Sequence, residues 1–295
     1  MMRIITQIAA AILGAGLLAA QTQPEPKLEF EVASVKLNKS VDQPSRSNVP
    51  LGPGAVFQPV KGVFSATNWS LATYIAFAYK ILGNQQQSLV SQLPGWVVND
   101  HFDIQARVPG DPTKDQVRQM VKALLADRFK LGMHTEIRQV SALALLPVKP
   151  GKLGPRFRAH VDDPPCDKLT FATEVELVGP FPILCGGLLG LQPSVPSRQN
   201  LGARGVTMAF VANSITAMGN LDRPVFDKTG LTGTFDFALE WEPEPNPNQP
   251  PAADLPDHGP SFLDALQQQL GFKLDSQKGP VDFLILDHVE HPSEN

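Results

Sequence analysis

Asp227-Lys228-Thr229-Gly230-Leu231 is the segment whose residue types come closest to chemistry. An aspartate presented this way after a strand suits phosphoryl transfer through an aspartyl-phosphate. The membrane helices and further acidic motifs that such chemistry requires are missing, so the turn reading prevails. Gly230 and Gly233 supply positive φ for successive turns, and the Asp227 and Thr229 side chains bond turn amides. With Lys228 they form a candidate recognition turn. His288-Val289-Glu290-His291 offers metal-ligand types, but on a strand His288 and Glu290 face one side and His291 the other. His134-Thr135-Glu136 matches half of a zinc deaminase motif whose Pro-Cys-x-x-Cys half is absent. A nucleophile elbow, a His-Glu-x-x-His and a phosphate-cradling glycine loop are also absent. These residues therefore point to no metal, no cofactor and no catalytic set. Trp96, in Leu93-Pro94-Gly95-Trp96, is a candidate ligand platform, although a Trp beside a turn is more often a core plug.

The elements that would position these residues begin after an address. Arg3, an apolar stretch from Ile4 to Leu18 and small residues before Gln21 have the three parts of a secretory signal peptide, with cleavage expected near Ala20. The stretch is too short to span a bilayer comfortably. Export to the periplasm or beyond is expected, with no stable membrane insertion after cleavage. In such a compartment Cys166 and Cys185, 19 positions apart, are expected to pair as a disulfide. The chain has 25 Lys+Arg against 29 Asp+Glu, a formal net charge of −4. That balance excludes the basic footprint of a nucleic-acid binder and a polybasic lipid anchor.

The chain also repeats itself. Phe64 to Leu71 aligns with Leu201 to Met208, each a short strand ending in an N-cap Ser or Thr ahead of helical spacing. Phe102-Asp103-Ile104 then matches Phe235-Asp236-Phe237. A second helix follows in each half, after a Thr113/Gln116 capping box and after Ser261/Asp264, with Gly271 as a terminator. Both helices run into Phe-Lys-Leu (129–131 and 272–274), and both halves finish on strand-like runs, Ser141 to Val148 and Val281 to Val289. The expected fold class is α+β: two similar β-α-β-α-β halves from an internal duplication. The alternative is one α+β domain whose elements happen to alternate. The expected limits are a signal peptide at 1–20, a first half with an N-terminal strand at 28–149, an irregular connector carrying the cysteines at 150–200, and a second half at 201–295. Residues 243–260 hold seven prolines and read as an extended insertion.

Five stretches carry a family resemblance: Phe30-Glu31-Val32-Ala33-Ser34-Val35-Lys36; Leu93-Pro94-Gly95-Trp96 with Phe102-Asp103-Ile104-Gln105-Ala106; Leu124-Leu125-Ala126-Asp127-Arg128-Phe129-Lys130-Leu131; Arg223 to Gly233; and Asp287 to Asn295. Together they resemble the exported, soil-associated protein family expanded in acidobacteria, a domain of unknown function. The resemblance implies an extracytoplasmic location. Related domains occur behind membrane peptidases of the beta-lactam-sensor type, which implies a sensing or binding role, and no catalytic residues come with it. The order within each half is also similar to the small N-terminal domain of secretins and TonB-dependent receptors, which docks protein partners. The leading expectation is a binding, interaction or sensing module for an unknown protein or small molecule outside the cytoplasm, with its ligand between the halves. The alternative is an exported hydrolase of cell-wall or environmental polymers, for which Asp103, Asp227, Asp236 and His288 are the first positions to test.

Overall fold

The structure, a computed structural model, describes residues 28–40, 43–55, 57, 59–81, 83–166, 177–244 and 259–292. The expected signal peptide, part of the connector (167–176) and most of the proline-rich insertion (245–258) lie outside the described residues.

The fold is mixed α+β. Its first part runs β1 (Val32–Asn38), β2 (Arg46–Ser47), β3 (Val63–Ser70), α1 (Leu71–Ala78), α2 (Gly83–Val90), α3 (Gly95–Asn99), β4 (His101–Arg107), α4 (Lys114–Arg128) and β5 (Gly132–Pro147). Four of these strands form an antiparallel sheet in the order β1-β4-β3-β2. Ser70 caps α1 by accepting the Thr73 amide. The capping box is formed: Thr113 Oγ1 accepts the Gln116 amide at 3.3 Å, and Gln116 Oε1 accepts the Thr113 amide at 2.8 Å. The stripe Val117, Met120, Val121, Leu124 and Leu125 is the buried face of α4, packed with Phe64, Phe102 and Ile104 of the sheet.

The second part runs β6 (Phe157–Ala159), β7 (Leu177–Val178), β8 (Phe181–Pro182), β9 (Leu188–Gly190), β10 (Gln199–Thr207), α5 (Met208–Met218), β11 (Val225–Asp227), β12 (Thr234–Trp241), α6 (Phe262–Ala265) and β13 (Phe272–His288). Its sheet has the order β6-β12-β10-β9. Thr207 caps α5 by accepting the Phe210 amide. The segment expected to be an irregular connector thus supplies both outer strands of this sheet. Strands of three residues are too short to carry an alternation signal.

Between α6 and β13 the chain widens into a π-helical turn, Leu266–Leu270, where the spacing predicts an uninterrupted α-helix. Gln269 in this turn exchanges two hydrogen bonds with the Glu240 backbone of β12. The turn ends at Gly271, with φ +82°, as expected.

β5 and β13 pair antiparallel over their whole length, and β11 adds parallel to β5 at Leu143–Leu145. This ribbon joins the two cores. Leu143 and Leu145 of β5, which leaves the first part, pack in the second core. Leu284 of β13, which leaves the second part, packs in the first. The middle of the ribbon has exposed residues on both faces, so residues 133–140 carry no alternation, which appears only where one face is covered. The two Phe-Lys-Leu triplets also differ in position. Phe129 is the C-cap of α4 and Lys130 takes φ +50°, whereas Phe272 to Leu274 already lie in β13.

Candidate functional site

The aligned Asp103 and Asp236 perform one local task. β3 and β10 are each interrupted by a β-bulge against their neighbour, and each bulge holds a residue in the left-handed region, Asn68 at φ +58° and Gly205 at φ +64°. Such a bulge turns an amide out of the ladder and leaves it needing an acceptor. Asp103 Oδ1 takes the Asn68 amide at 2.8 Å, and Asp236 Oδ1 takes the Gly205 amide at 3.0 Å. Asn38 Nδ2 adds a second donor to Asp103, at 2.8 Å.

Around Asp236 the arrangement is richer. Its carboxylate is fully buried, with Arg158 Nε 2.9 Å from one oxygen and His160 Nδ1 2.6 Å from the other. The opposite ring nitrogen of His160 lies 3.5 Å from Cys166 Sγ. Cys166 and Cys185 form the expected disulfide, Cα to Cα 5.6 Å. Beyond it sits Arg204, with no exposed surface. Its guanidinium donates to the carbonyls of Ile183 (3.0 Å), Val161 (2.9 Å) and Pro164 (2.7 Å), and to Cys185 Sγ at 3.5 Å. His160, Cys166 and Cys185 bring ligand-type atoms within 4.8 Å of one another, and both sulfurs are spent on the S–S bond.

The candidate recognition turn borders a groove. Thr229 gives both its amide (2.9 Å) and its hydroxyl (2.7 Å) to Asp227 Oδ1, and the Leu231 amide reaches Thr229 Oγ1 at 3.2 Å. Lys228 is tied to β13 through Gln277 Oε1 at 2.9 Å, and Gly230 and Gly233 take the positive φ expected of them. The turn follows β11, so Asp227 stands at the rim of a groove of about 340 Å³ between the ribbon and helices α2 and α5. Ile137, Phe226, Pro280 and Val281 give it an apolar lining, with Asp227 and Asp282 exposed at the rim. Ile137 is 71% exposed.

The other sequence-derived positions lie elsewhere. Trp96 stacks on His291 of the C-terminal tail, ring centroids 4.0 Å apart. His288 Nε2 contacts Glu290 at 2.7 Å, and His134 contacts Asp287 and Glu136. Asp103, Asp227, Asp236 and His288 make no hydrogen bond to one another among the described residues. They sit on β4, β11, β12 and the end of β13, each with its own local partners.

Sequence reasoning missed Arg204, Lys114 and the part His160 plays beside the disulfide. In the repeat Arg204 aligns with Thr67, and no local signal marks it. Nothing local marks His160, because Asp236 lies 76 positions away. Lys114 is buried at the start of α4 and donates to the carbonyls of Gly52 (3.1 Å) and Gly54 (2.7 Å). Burial, with the Arg118 guanidinium beside it, pushes its amine down to about 7.

Among the described residues no helix is long and apolar enough to cross a membrane. No curated protein and no solved structure matches the chain. The family model described as Protein of unknown function (DUF3738) matches residues 72–289, and the chain belongs to that family.

Proposed function

We propose that the chain is an extracytoplasmic binding module that takes a short apolar, positively charged ligand in the groove between the ribbon and helices α2 and α5. The observation that carries this reading is the groove's composition: an apolar lining, an exposed Ile137, and two carboxylates at the rim. Its volume of about 340 Å³ is at the small end for ligand pockets. It fits one or two side chains of a peptide better than a large cofactor. The location rests on the signal-like first twenty residues and the disulfide, which persists outside reducing compartments.

The test is a screen of short peptides carrying Leu or Phe next to Lys or Arg, read by methyl NMR shifts of Ile137 and Val281. Ala209 is an exposed lining residue, so Ala209→Trp fills the groove without touching the core. Binding that reports on those methyls and disappears in Ala209→Trp is the expected result. Peptides that leave the groove methyls unmoved, or that bind the variant equally well, would sink the proposal.

We also read the two sheets as products of an internal duplication, with a first half at 28–149 and a second at 201–295 whose sheet takes its outer strands, β6 and β9, from 150–200. Support comes from the shared order of the strands flanking each helix pair, the Ser70 and Thr207 caps, and the two bulges with their aspartates.

A further inference from the structure

Arg204 sets a problem that the rest of the fold leaves open. A fully buried guanidinium without an anion is costly. Among the described residues no carboxylate lies within ion-pair distance of it, and its Nε has no hydrogen-bond partner. Three carbonyl dipoles and one sulfur surround it. Among the described residues, the group in contact with it that can become an anion is Cys185, whose sulfur already accepts from Nη1 at 3.5 Å. The second sulfur has a partner of its own. His160 Nε2 faces Cys166 Sγ at 3.5 Å, while the buried Asp236 holds Nδ1 and orients the ring; Asp162 Oδ1, which accepts the Cys166 amide, lies 3.8 Å from the same Nε2. Each sulfur of the bond thus faces a group suited to stabilise its thiolate, in the manner of activated cysteines elsewhere. Both cysteines are half-buried, neither of them sealed in the core.

We propose that Cys166–Cys185 is a redox-active disulfide that exchanges with an external dithiol. In the first step the external thiolate bonds to Cys166 Sγ and the S–S bond breaks. The electron pair leaves on Cys185, beside Arg204. In the second step the dithiol's other thiol loses its proton to solvent and bonds to the dithiol's first sulfur, breaking that sulfur's bond to Cys166 Sγ. Cys166 then leaves as a thiolate toward His160 Nε2. Two electrons pass to the protein, the external dithiol becomes a disulfide, and its two protons go to solvent or to the new thiolates. Cys185 is the better first leaving group because its neighbouring cation is permanent.

The experiment uses the oxidised full chain with dithiothreitol in native buffer, without denaturant. Three readouts follow the reaction: alkylation gel shift for thiols, circular dichroism for fold, and ultraviolet thiolate absorbance against pH once reductant is removed. The expected result is reduction with the fold retained and at least about half of one thiolate per chain at pH 7. Ordinary cysteines show a few per cent there. His160→Gln should lower the Cys166 part of that signal and leave the Cys185 part beside Arg204, and Asp236 keeps Arg158 and the Gly205 amide in this variant. A bond that resists dithiothreitol until the chain is denatured would overturn the proposal. So would reduction that unfolds the chain, or thiols that titrate near the ordinary value of about 8.5. A His160→Gln chain titrating like wild type would remove His160 from the assignment. If that variant does not fold, the wild-type titration alone still decides.

Discussion

Asp103 and Lys114 show how single side chains here serve the backbone of distant segments. Asp103 accepts the bulge amide of Asn68, which is buried. Asp103→Ala leaves that donor unpaired and should cost about 1–3 kcal/mol in urea unfolding. Asp103→Asn keeps an acceptor and should cost less. Equal losses for the two would show that charge, not the hydrogen bond, is what matters. Lys114 links stability to pH. Its amine titrates near 7 when folded, against about 10.4 in an unfolded chain. Between those values the unfolded state binds more protons, so stability rises with pH across that window. Lys114→Met should remove this rise. Urea midpoints measured at pH 7 and pH 9 for both chains check the sign, and a difference between the chains that does not change with pH refutes it.

The turn from α6 into β13 shows an element defined by its close approach to another. Gly271 holds φ +82°, and a Cβ there would lie 2.7 Å from the Gly154 amide nitrogen. The same crossing carries hydrogen bonds from the Gly154 amide to the Leu270 carbonyl (3.0 Å) and from the Arg156 amide to the Gln269 carbonyl (2.9 Å). Gly271→Ala therefore meets backbone on one side and left-handed strain on the other. The strain alone is worth about 1–3 kcal/mol. For a chain of this size each kcal/mol lowers the melting temperature by about 2–4 °C. A thermal melt of Gly271→Ala within a degree of wild type would mean that the crossing is loose.

The whole molecule is held together by the exchange of its long strands. β5 ends in the core it did not start from, and so does β13. A second tie runs from the first sheet's loop to the disulfide region: the Ala55 amide donates to the Gly186 carbonyl, and Gly186 in turn donates to Arg204 O at 2.6 Å. A fragment covering residues 28–149 would lack the strand that brings Leu284 to its core, and would leave Leu143 and Leu145 without theirs. Such a fragment should show no cooperative unfolding by circular dichroism, while the full chain melts in one transition. A fragment that unfolds cooperatively by itself would mean that the exchange is dispensable.

Local chemistry was legible in advance because it depends on near neighbours. The Ser70, Thr113 and Thr207 caps, the Gly271 terminator, the stripe of α4 and the turn chemistry of Asp227 and Thr229 each act over a few residues, and the signal-like N-terminus with two cysteines pointed to the disulfide. The repeated Phe-Asp pattern was visible too, although its meaning was not. The bulges that Asp103 and Asp236 satisfy exist only once β3 lies against β4 and β10 against β12. Three-residue strands and a two-sided ribbon leave no periodic trace, so the outer strands of the second sheet and the middle of β5 were hidden. The placement of Arg204 and His160 around the disulfide, and of Ile137 over the groove, depends on residues tens of positions apart. Short-range preferences cannot bring such groups together. The burial of two cores linked by one ribbon does.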